Sequence, residues 1–368
     1  MYAMWGKVKK YAGEGWQIAV CLLLLWGVTA GGDLARQGVL RGLATCYKVL
    51  IPSLFPFMIV AGLVMNTPMS RVISWLLRPL SRWVLRVSPQ GGSVFAMSMI
   101  GGFPVGAKLV RAGYDGGQLP GDEARRLALY CIGAGPAFVV TGVGMGMFGS
   151  AAVGGLYYLC CVLSALILGA LLSRLPGRRR GPAVAPARAA VKAKDFPPFS
   201  AALVTAVSTA VTSMLSICGY VIAFSALLEL VRRWLPLPAH LTALLSGLLE
   251  VTTGCAAASG LPGKLGLCAA AFFLGCTGLS VVCQVLFCLG DLADMGRLLL
   301  CRLLSGVLTL GLFLLLYGLL PSESADVWQN VAIPLKTAHN SPATALLLVL
   351  FCLCALWKFC RPHTALRR

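Results

Sequence analysis

Long apolar runs separated by short polar segments dominate the 368-residue chain. Eight of them are long enough to be predicted as membrane-spanning helices, at residues 16–30, 43–65, 127–148, 151–172, 213–231, 265–289, 298–320 and 343–359. The first run also has the pattern of a secretory signal, since Val28-Thr29-Ala30 is typical of a cleavage site. We favour a retained helix because further runs follow at once. The pattern predicts an all-α polytopic membrane protein with about eight transmembrane helices.

Two further apolar segments, residues 91–110 and 241–259, are interrupted at their centres. The first carries GGFPVG and the second carries EVTTG. Glycine and proline interrupt a helix, and irregular backbone at membrane depth survives only where protein or a wet cavity surrounds it. We therefore predict two re-entrant hairpins, which enter the membrane from opposite faces.

The order of segments repeats along the chain. Each hairpin precedes a helix with central glycines and then a long apolar run, and the interruptions are Gly133-Ala134-Gly135-Pro136 and Gly275-Cys276-Thr277-Gly278. This order predicts an inverted repeat with a transporter-like site near the bilayer midplane; the alternative is that the glycines only permit close helix packing. The predicted parts are an N-terminal membrane helix (1–42), a first repeat (43–173), a basic cytoplasmic linker (174–199), a second repeat (200–320), and an external loop with a C-terminal membrane helix (321–368).

The distribution of charge sets the predicted orientation. Only 12% of residues are charged, and the formal net charge is +19. Basic residues concentrate in the linker 174–199, in the segment 70–87 with its two tryptophans, and at the C-terminus, whereas the loop 321–342 is poor in them. Because cytoplasmic loops carry the excess of Lys and Arg, both termini are predicted in the cytoplasm, in a multi-pass protein of the cell membrane. The partner of this positive charge is then the lipid bilayer and not nucleic acid.

The residue types do not indicate catalysis. The three histidines have no metal-ligand spacing, and no pairing of nucleophile and base is present in the sequence. The fifteen cysteines lie mostly inside apolar runs, where cysteine behaves as a small hydrophobic residue. We expect no enzyme activity, no cofactor and no metal site.

Polar side chains near the interruptions form the candidate substrate-binding site. Glu250 is the strongest candidate because a carboxylate at membrane depth is costly and usually functional; its structural alternative is an ion pair with Lys108. We predict that Glu250 lies at the tip of the outer hairpin and faces residues 101–108 of the inner one. The candidate binding residues are Glu250, Thr252, Thr253, Thr277, Ser280, Gln284 and Lys108. The predicted hairpin and helix breaks are Gly101, Gly102, Pro104, Gly106, Gly133, Gly135, Pro136, Gly254, Gly275 and Gly278.

Four motifs in order carry a resemblance to a known family. They are LFPFMIVAGL at 54–63, GGFPVGAKLV at 101–110, LEVTTG at 249–254 and LGCTGLSVVCQV at 274–285. They resemble the YlbJ-type sporulation integral membrane proteins of the nucleoside-recognition, or Gate-domain, family. The resemblance implies two Gate-like repeats and a role in forming the spore cortex. The segment GAGPAF at 133–138 departs from the polar residues expected there, so no nucleoside contact is carried over to it.

The same resemblance implies transport or gating. With the polar side chains at the interruptions, it favours a protein that moves or senses a small polar solute, such as a nucleoside, and the expected partners are that solute and a coupling ion. The alternative is a membrane scaffold that transports nothing and is needed for assembly of the spore envelope. A homo-oligomer is compatible with either interpretation.

Overall fold

The computed structural model describes residues 21–319 apart from 23–24, 28, 77–78, 80, 175–195 and 236, and the regular secondary structure in these residues is all helical. Within them, four helical stretches are long and apolar enough to cross a membrane: Ala151–Arg174, Phe199–Arg233, Gly263–Leu292, which is interrupted at Thr277, and Met295–Leu316. The bent pair Gly32–Leu50 and Leu54–Val64 adds a fifth if it is one span. The all-helical membrane class is confirmed, whereas the count of eight spans is not supported.

Three of the predicted runs account for the difference in the number of spans. Residues 127–148 form two short helices on either side of a break, and not one span. The first run, 16–30, is only partly described. The last run, 343–359, lies outside the described residues, as does most of the linker 174–199.

The helices fall into two groups along the chain. The first group contains α1 Gly32–Thr45, which continues through the π-helical Cys46–Leu50 into α2 Ile51–Met65, then α3 Met69–Leu76, the π-helical Ser81–Leu85, α4 Pro89–Gly101, α5 Val105–Asp115, α6 Gly121–Tyr130, α7 Ala137–Phe148 and α8 Ala151–Arg174. The second contains α9 Phe199–Trp234, α10 Ala239–Leu249, α11 Val251–Ser259, α12 Gly263–Cys276, α13 Gly278–Leu289 and α14 Met295–Leu316.

Small residues allow α1 and α9 to pack closely. Gly38 and Gly42 are one helical turn apart, and a Cβ on Gly38 would lie 2.5 Å from the Cα of Ala226 on α9. A Cβ on Gly42 would lie 2.8 Å from the Cα of Ile222. Two glycines at this spacing are the usual solution for close approach of helices in lipid. The contact at these two glycines therefore joins α1, at the start of the first group, to α9, the long helix of the second group.

A second contact between the groups joins α8 and α14. The Ser164 hydroxyl on α8 donates a hydrogen bond to the Ser305 carbonyl on α14, with an O–O distance of 3.0 Å. Both side chains are buried. Gly275 on α12 packs at the same place, because a Cβ there would lie 2.6 Å from that carbonyl. Close helix packing, which was the alternative interpretation, therefore explains this glycine.

Large apolar side chains cover the outside of the long helices. Leu215 on α9 is 68% exposed and Leu315 on α14 is 80% exposed. A soluble monomer rarely exposes large contiguous apolar patches, whereas lipid tails are as apolar as leucine. These helix faces are therefore lipid-facing. The most exposed of these large residues are Val204, Leu215, Phe287, Leu300, Val307, Leu314 and Leu315.

Candidate functional site

The first interrupted segment forms a helical hairpin from α4 and α5. The chain turns at Gly102, whose φ of +71° is in the region that favours glycine. The next backbone N–H, that of Phe103, donates to the carbonyl of Gly133 at 2.8 Å. A Cβ on Gly102 would also lie 2.8 Å from the backbone nitrogen of Gly135. The hairpin turn therefore packs directly on the break between α6 and α7.

The second interrupted segment forms a hairpin from α10 and α11, and a single extended residue, Glu250, separates the two helices. The Glu250 carboxylate accepts the backbone N–H of Thr252 at 2.9 Å and that of Thr253 at 2.6 Å. It therefore caps α11 and opposes the positive end of the helix dipole. Gly278, at the break between α12 and α13, would place a Cβ 3.1 Å from the Val251 nitrogen. This hairpin also packs on the broken helix that follows it.

The two hairpins share one arrangement of residues around the turn. In each, a buried serine lies four residues before the turn, and a glycine lies four residues after it where the two arms touch. The turn residue donates its N–H to the serine carbonyl, at 2.9 Å in the first hairpin and 2.7 Å in the second. The corresponding residues are Ser98, Gly102 and Gly106 in the first hairpin and Ser246, Glu250 and Gly254 in the second.

A cavity of about 40 Å³ lies where these elements meet. Its wall includes the turn of each hairpin, the start of α7 and the first two turns of α13, with α2 and α9 closing the sides. Most of the wall is apolar. Its polar side chains include those of Glu250, which is 3% exposed, Thr252 and Gln284, which is 8% exposed. The Gln284 Oε1 atom is buried and has no hydrogen-bond partner among the described residues.

The structure brings three of the predicted binding residues to this cavity: Glu250, Thr252 and Gln284. Thr253 contributes its backbone N–H to the Glu250 carboxylate, and its hydroxyl bonds the Glu250 carbonyl at 3.1 Å. Thr277 is buried at the break with a φ of +67°, and its hydroxyl bonds the Cys276 carbonyl. Ser280 is buried but does not line the cavity.

Lys108 is not part of the site, which corrects the binding prediction and speaks against the alternative of an ion pair with Glu250. Its side chain is exposed, and it does not line the cavity. The reason is helical phase: Gly106, Ala107 and Val110 bury one face of α5, and Lys108 lies on the opposite face. The partner that the carboxylate has instead is the N-terminus of its own helix.

Some of the predicted breaks lie at or beside real breaks in the helices, and others lie inside helices and need correction. The chain is not helical at the turn 102–104, at residues 131–135 ahead of α7, or at Glu250 and Thr277. Gly101 ends α4 and Gly278 begins α13, while Gly102, Pro104, Gly133 and Gly135 lie in the breaks and Pro136 caps the start of α7. By contrast, the glycines that lie inside helices and serve close packing are Gly106, Gly254 and Gly275.

Exchanging Lys108 for methionine is expected to leave stability within about 0.5 kcal/mol of wild type, because exposed positions without partners are tolerant. In a double-mutant cycle with Glu250→Gln, the two changes should add without coupling. Thermal unfolding of the purified single and double variants measures this. A double variant that regains the stability lost in Glu250→Gln would support an ion pair between Glu250 and Lys108 in the wild type and contradict the helix-cap assignment.

Arg302 on α14 is a central residue that the sequence analysis missed. Its side chain is 3% exposed, and its guanidinium donates to the carbonyl of Leu129 at 2.6 Å and to that of Ile132. These carbonyls lie at the end of α6, where the helix breaks and its last carbonyls lack partners within the helix. The signal that could have found Arg302 is an arginine inside the apolar run 298–320, by the same rule that selected Glu250.

Lipid-facing helices and two broken helices around a small cavity with buried polar side chains define an integral membrane protein. No protein-family profile matches the chain, and no solved structure matches it. The chain is 31% identical to the sporulation integral membrane protein YlbJ of Bacillus subtilis (strain 168), over 336 residues that cover 82% of each protein. It belongs to the family of that sporulation integral membrane protein.

Proposed function

We propose that this chain is a transporter-like protein of the cell membrane that moves or senses a small polar solute during sporulation. The observation that carries the proposal is the cavity where the hairpin turns meet the broken helices. Its wall holds both the buried carboxylate of Glu250 and the amide oxygen of Gln284, which has no hydrogen-bond partner within the described ranges. Discontinuous helices whose ends converge on buried polar groups are typical of transporter binding sites.

The matching turns of the two hairpins support the proposal of an inverted repeat. In transporters of this kind, one repeat moves against the other around a central site. The equivalent turns at Gly102 and Glu250 would then be the moving contacts, each held on the broken helix of its own half. Both termini in the cytoplasm, as the basic linker and C-terminus predict, would complete this topology.

The volume of the cavity bears on the kind of solute. A cavity of about 40 Å³ has room for roughly three water molecules. A nucleoside is far larger, so a nucleoside solute requires the hairpins to move apart. We therefore propose that the cavity is the closed form of the site. The choice of a nucleoside as the solute is supported by the resemblance of the four sequence motifs to Gate-domain proteins.

A scaffold without transport is the second candidate, and one observation favours it. Both Glu250 oxygens accept hydrogen bonds from the start of α11, so this buried carboxylate has a structural role as a helix cap. A scaffold would need the cap for stability and would have no use for the unpartnered oxygen of Gln284. The two candidates therefore differ in what should happen when that oxygen is removed.

Uptake into proteoliposomes, screened over nucleosides, nucleobases and cortex precursors, tests the proposal. We expect uptake by wild type and a loss of about tenfold or more in Glu250→Gln, which removes the buried charge, and in Gln284→Leu, which removes a buried polar group from the cavity wall. Glu123→Gln is the matched control. Its carboxylate is also buried, but it bonds Ser88 outside the cavity.

Uptake should therefore persist in the Glu123 variant. A chain that takes up no solute, yet restores spore formation when Gln284 is leucine, would support the scaffold and contradict transport. Equal losses in the control and in the two cavity variants would show only general damage to the fold, and the cavity assignment would then be wrong.

A further inference from the structure

The cavity has an imbalance of charge. Among the described residues, the titratable side chains in its wall are Glu250 and Tyr220, and no lysine, arginine or histidine lines it. The N-terminus of α11 opposes the Glu250 carboxylate with only about half a positive charge. A buried charge without full compensation is costly, and proteins pair it or coordinate it to an ion.

The wall also contains further acceptor atoms, beside the hydroxyls of Tyr220 and Thr252 and the amide NH2 of Gln284. Each carboxylate oxygen of Glu250 has two lone pairs, and its hydrogen bond to α11 uses one, so further acceptor capacity remains. The Gln284 Oε1 atom is buried and accepts no hydrogen bond from the part of the chain that the structure describes. The helix α4 ends beside the cavity, at Ile100 and Gly101, where a helix presents its negative end.

We propose that this cavity binds one dehydrated monovalent cation of the size of Na⁺, held by the Glu250 carboxylate and Gln284 Oε1. Oxygen ligands suit hard cations, and a cavity with room for roughly three water molecules accepts such an ion. The ion completes the neutralisation that the α11 dipole begins. It also bridges the second hairpin to α13, and so would hold the site closed.

The bound cation would be the coupling ion of the proposed transport function, on which this role rests. Its binding does not itself require transport. The test therefore uses the purified full chain without any solute. Thermal unfolding and ²²Na⁺ binding are measured at constant ionic strength in NaCl, KCl and choline chloride. A ligand that binds only the folded state stabilises it in proportion to its occupancy. We expect the unfolding temperature to be highest in NaCl and saturable ²²Na⁺ binding.

Variants of the two proposed ligands test whether the ion binds in the cavity. Glu250→Gln and Gln284→Leu should each weaken Na⁺ binding by roughly ten- to a hundredfold, the range for losing one ligand to a charged group. Cys283→Ala is the matched control, because it lies beside Gln284 on α13 and does not line the cavity. It should retain wild-type affinity. Comparing salts within each variant separates ion binding from any loss of basal stability.

Three outcomes would overturn the proposal. The first is no ²²Na⁺ binding and equal unfolding temperatures in the three salts. The second is stabilisation by NaCl that persists in both Glu250→Gln and Gln284→Leu, which would indicate general screening of charges by salt. The third is stabilisation by acidic pH in choline chloride without Na⁺ binding, which would mean that a proton on Glu250 supplies the neutralisation. Ion binding with no solute uptake would leave this inference standing and contradict the transport function alone.

Discussion

Replacement of Arg302 by methionine is expected to destabilise the protein by about 2–5 kcal/mol, since buried acceptors left without donors cost about 1–3 kcal/mol each. The guanidinium supplies hydrogen bonds to the carbonyls of Leu129 and Ile132, across 173 and 170 residues of sequence. Methionine has a similar length but no donor. The end of α6 would then lose its partners inside the core, and the break that follows it would lose its support.

Thermal unfolding in detergent measures this loss, together with recovery of folded protein from membranes. Arg297→Met is the matched control, because Arg297 lies on the same helix with its side chain exposed. We expect it to change stability by about 0.5 kcal/mol or less. Arg302→Lys should fall between the two, because one ammonium cannot reproduce the fork of a guanidinium. An Arg302→Met protein as stable as the control would show that the contact to α6 is dispensable.

Alanine at Gly254 is expected to cost about 3 kcal/mol or more, at the upper end of the range for overpacked cores. A Cβ there would lie 2.1 Å from the Cα of Gly247 on the other arm of the hairpin. The obstacle is backbone, so no side-chain rotation relieves it. The arms of α10 and α11 would have to separate, and the Glu250 turn would move with them.

The equivalent position in the first hairpin should respond in the same way, because a Cβ on Gly106 would lie 2.1 Å from the Cys131 carbonyl oxygen. Gly155→Ala on α8 is the control, since its added Cβ would meet no atom of the described residues within 4 Å apart from its chain neighbours and the backbone of its own helix. Alanine is the better helix former, so this variant should keep or gain up to about 1 kcal/mol. Unfolding temperatures of the three variants provide the comparison, and equal values for all three would refute the close contact in both hairpins.

The apolar runs were sufficient to predict an all-helical membrane protein, because a chain in lipid must satisfy its backbone hydrogen bonds within each segment. The two hairpins were also visible as interruptions in the middle of apolar segments. Exact boundaries were less accessible. Gly254 and Gly275 resemble helix breakers in the sequence, yet they lie inside helices, because a neighbouring helix requires a residue without a side chain there.

Glu250 was selected from sequence because the cost of a carboxylate at membrane depth depends only on its chemistry and its place in an apolar segment. Its partners depend on direction in space. Lys108 was a reasonable candidate by position in the repeat, but the phase of α5 turns it outward, whereas Gln284 reaches the cavity from a helix that begins 28 residues after Glu250.

Arg302 shows the same division. Its cost in an apolar run can be read from sequence, but its acceptors lie about 170 residues away and exist only because α6 ends in the core. The volume of the cavity likewise depends on how the hairpins and broken helices pack. Local sequence determines which groups must be satisfied, since desolvation acts on each residue by itself. Only the tertiary structure decides what satisfies them, since hydrogen bonds and ion contacts depend on distances between elements far apart in the chain.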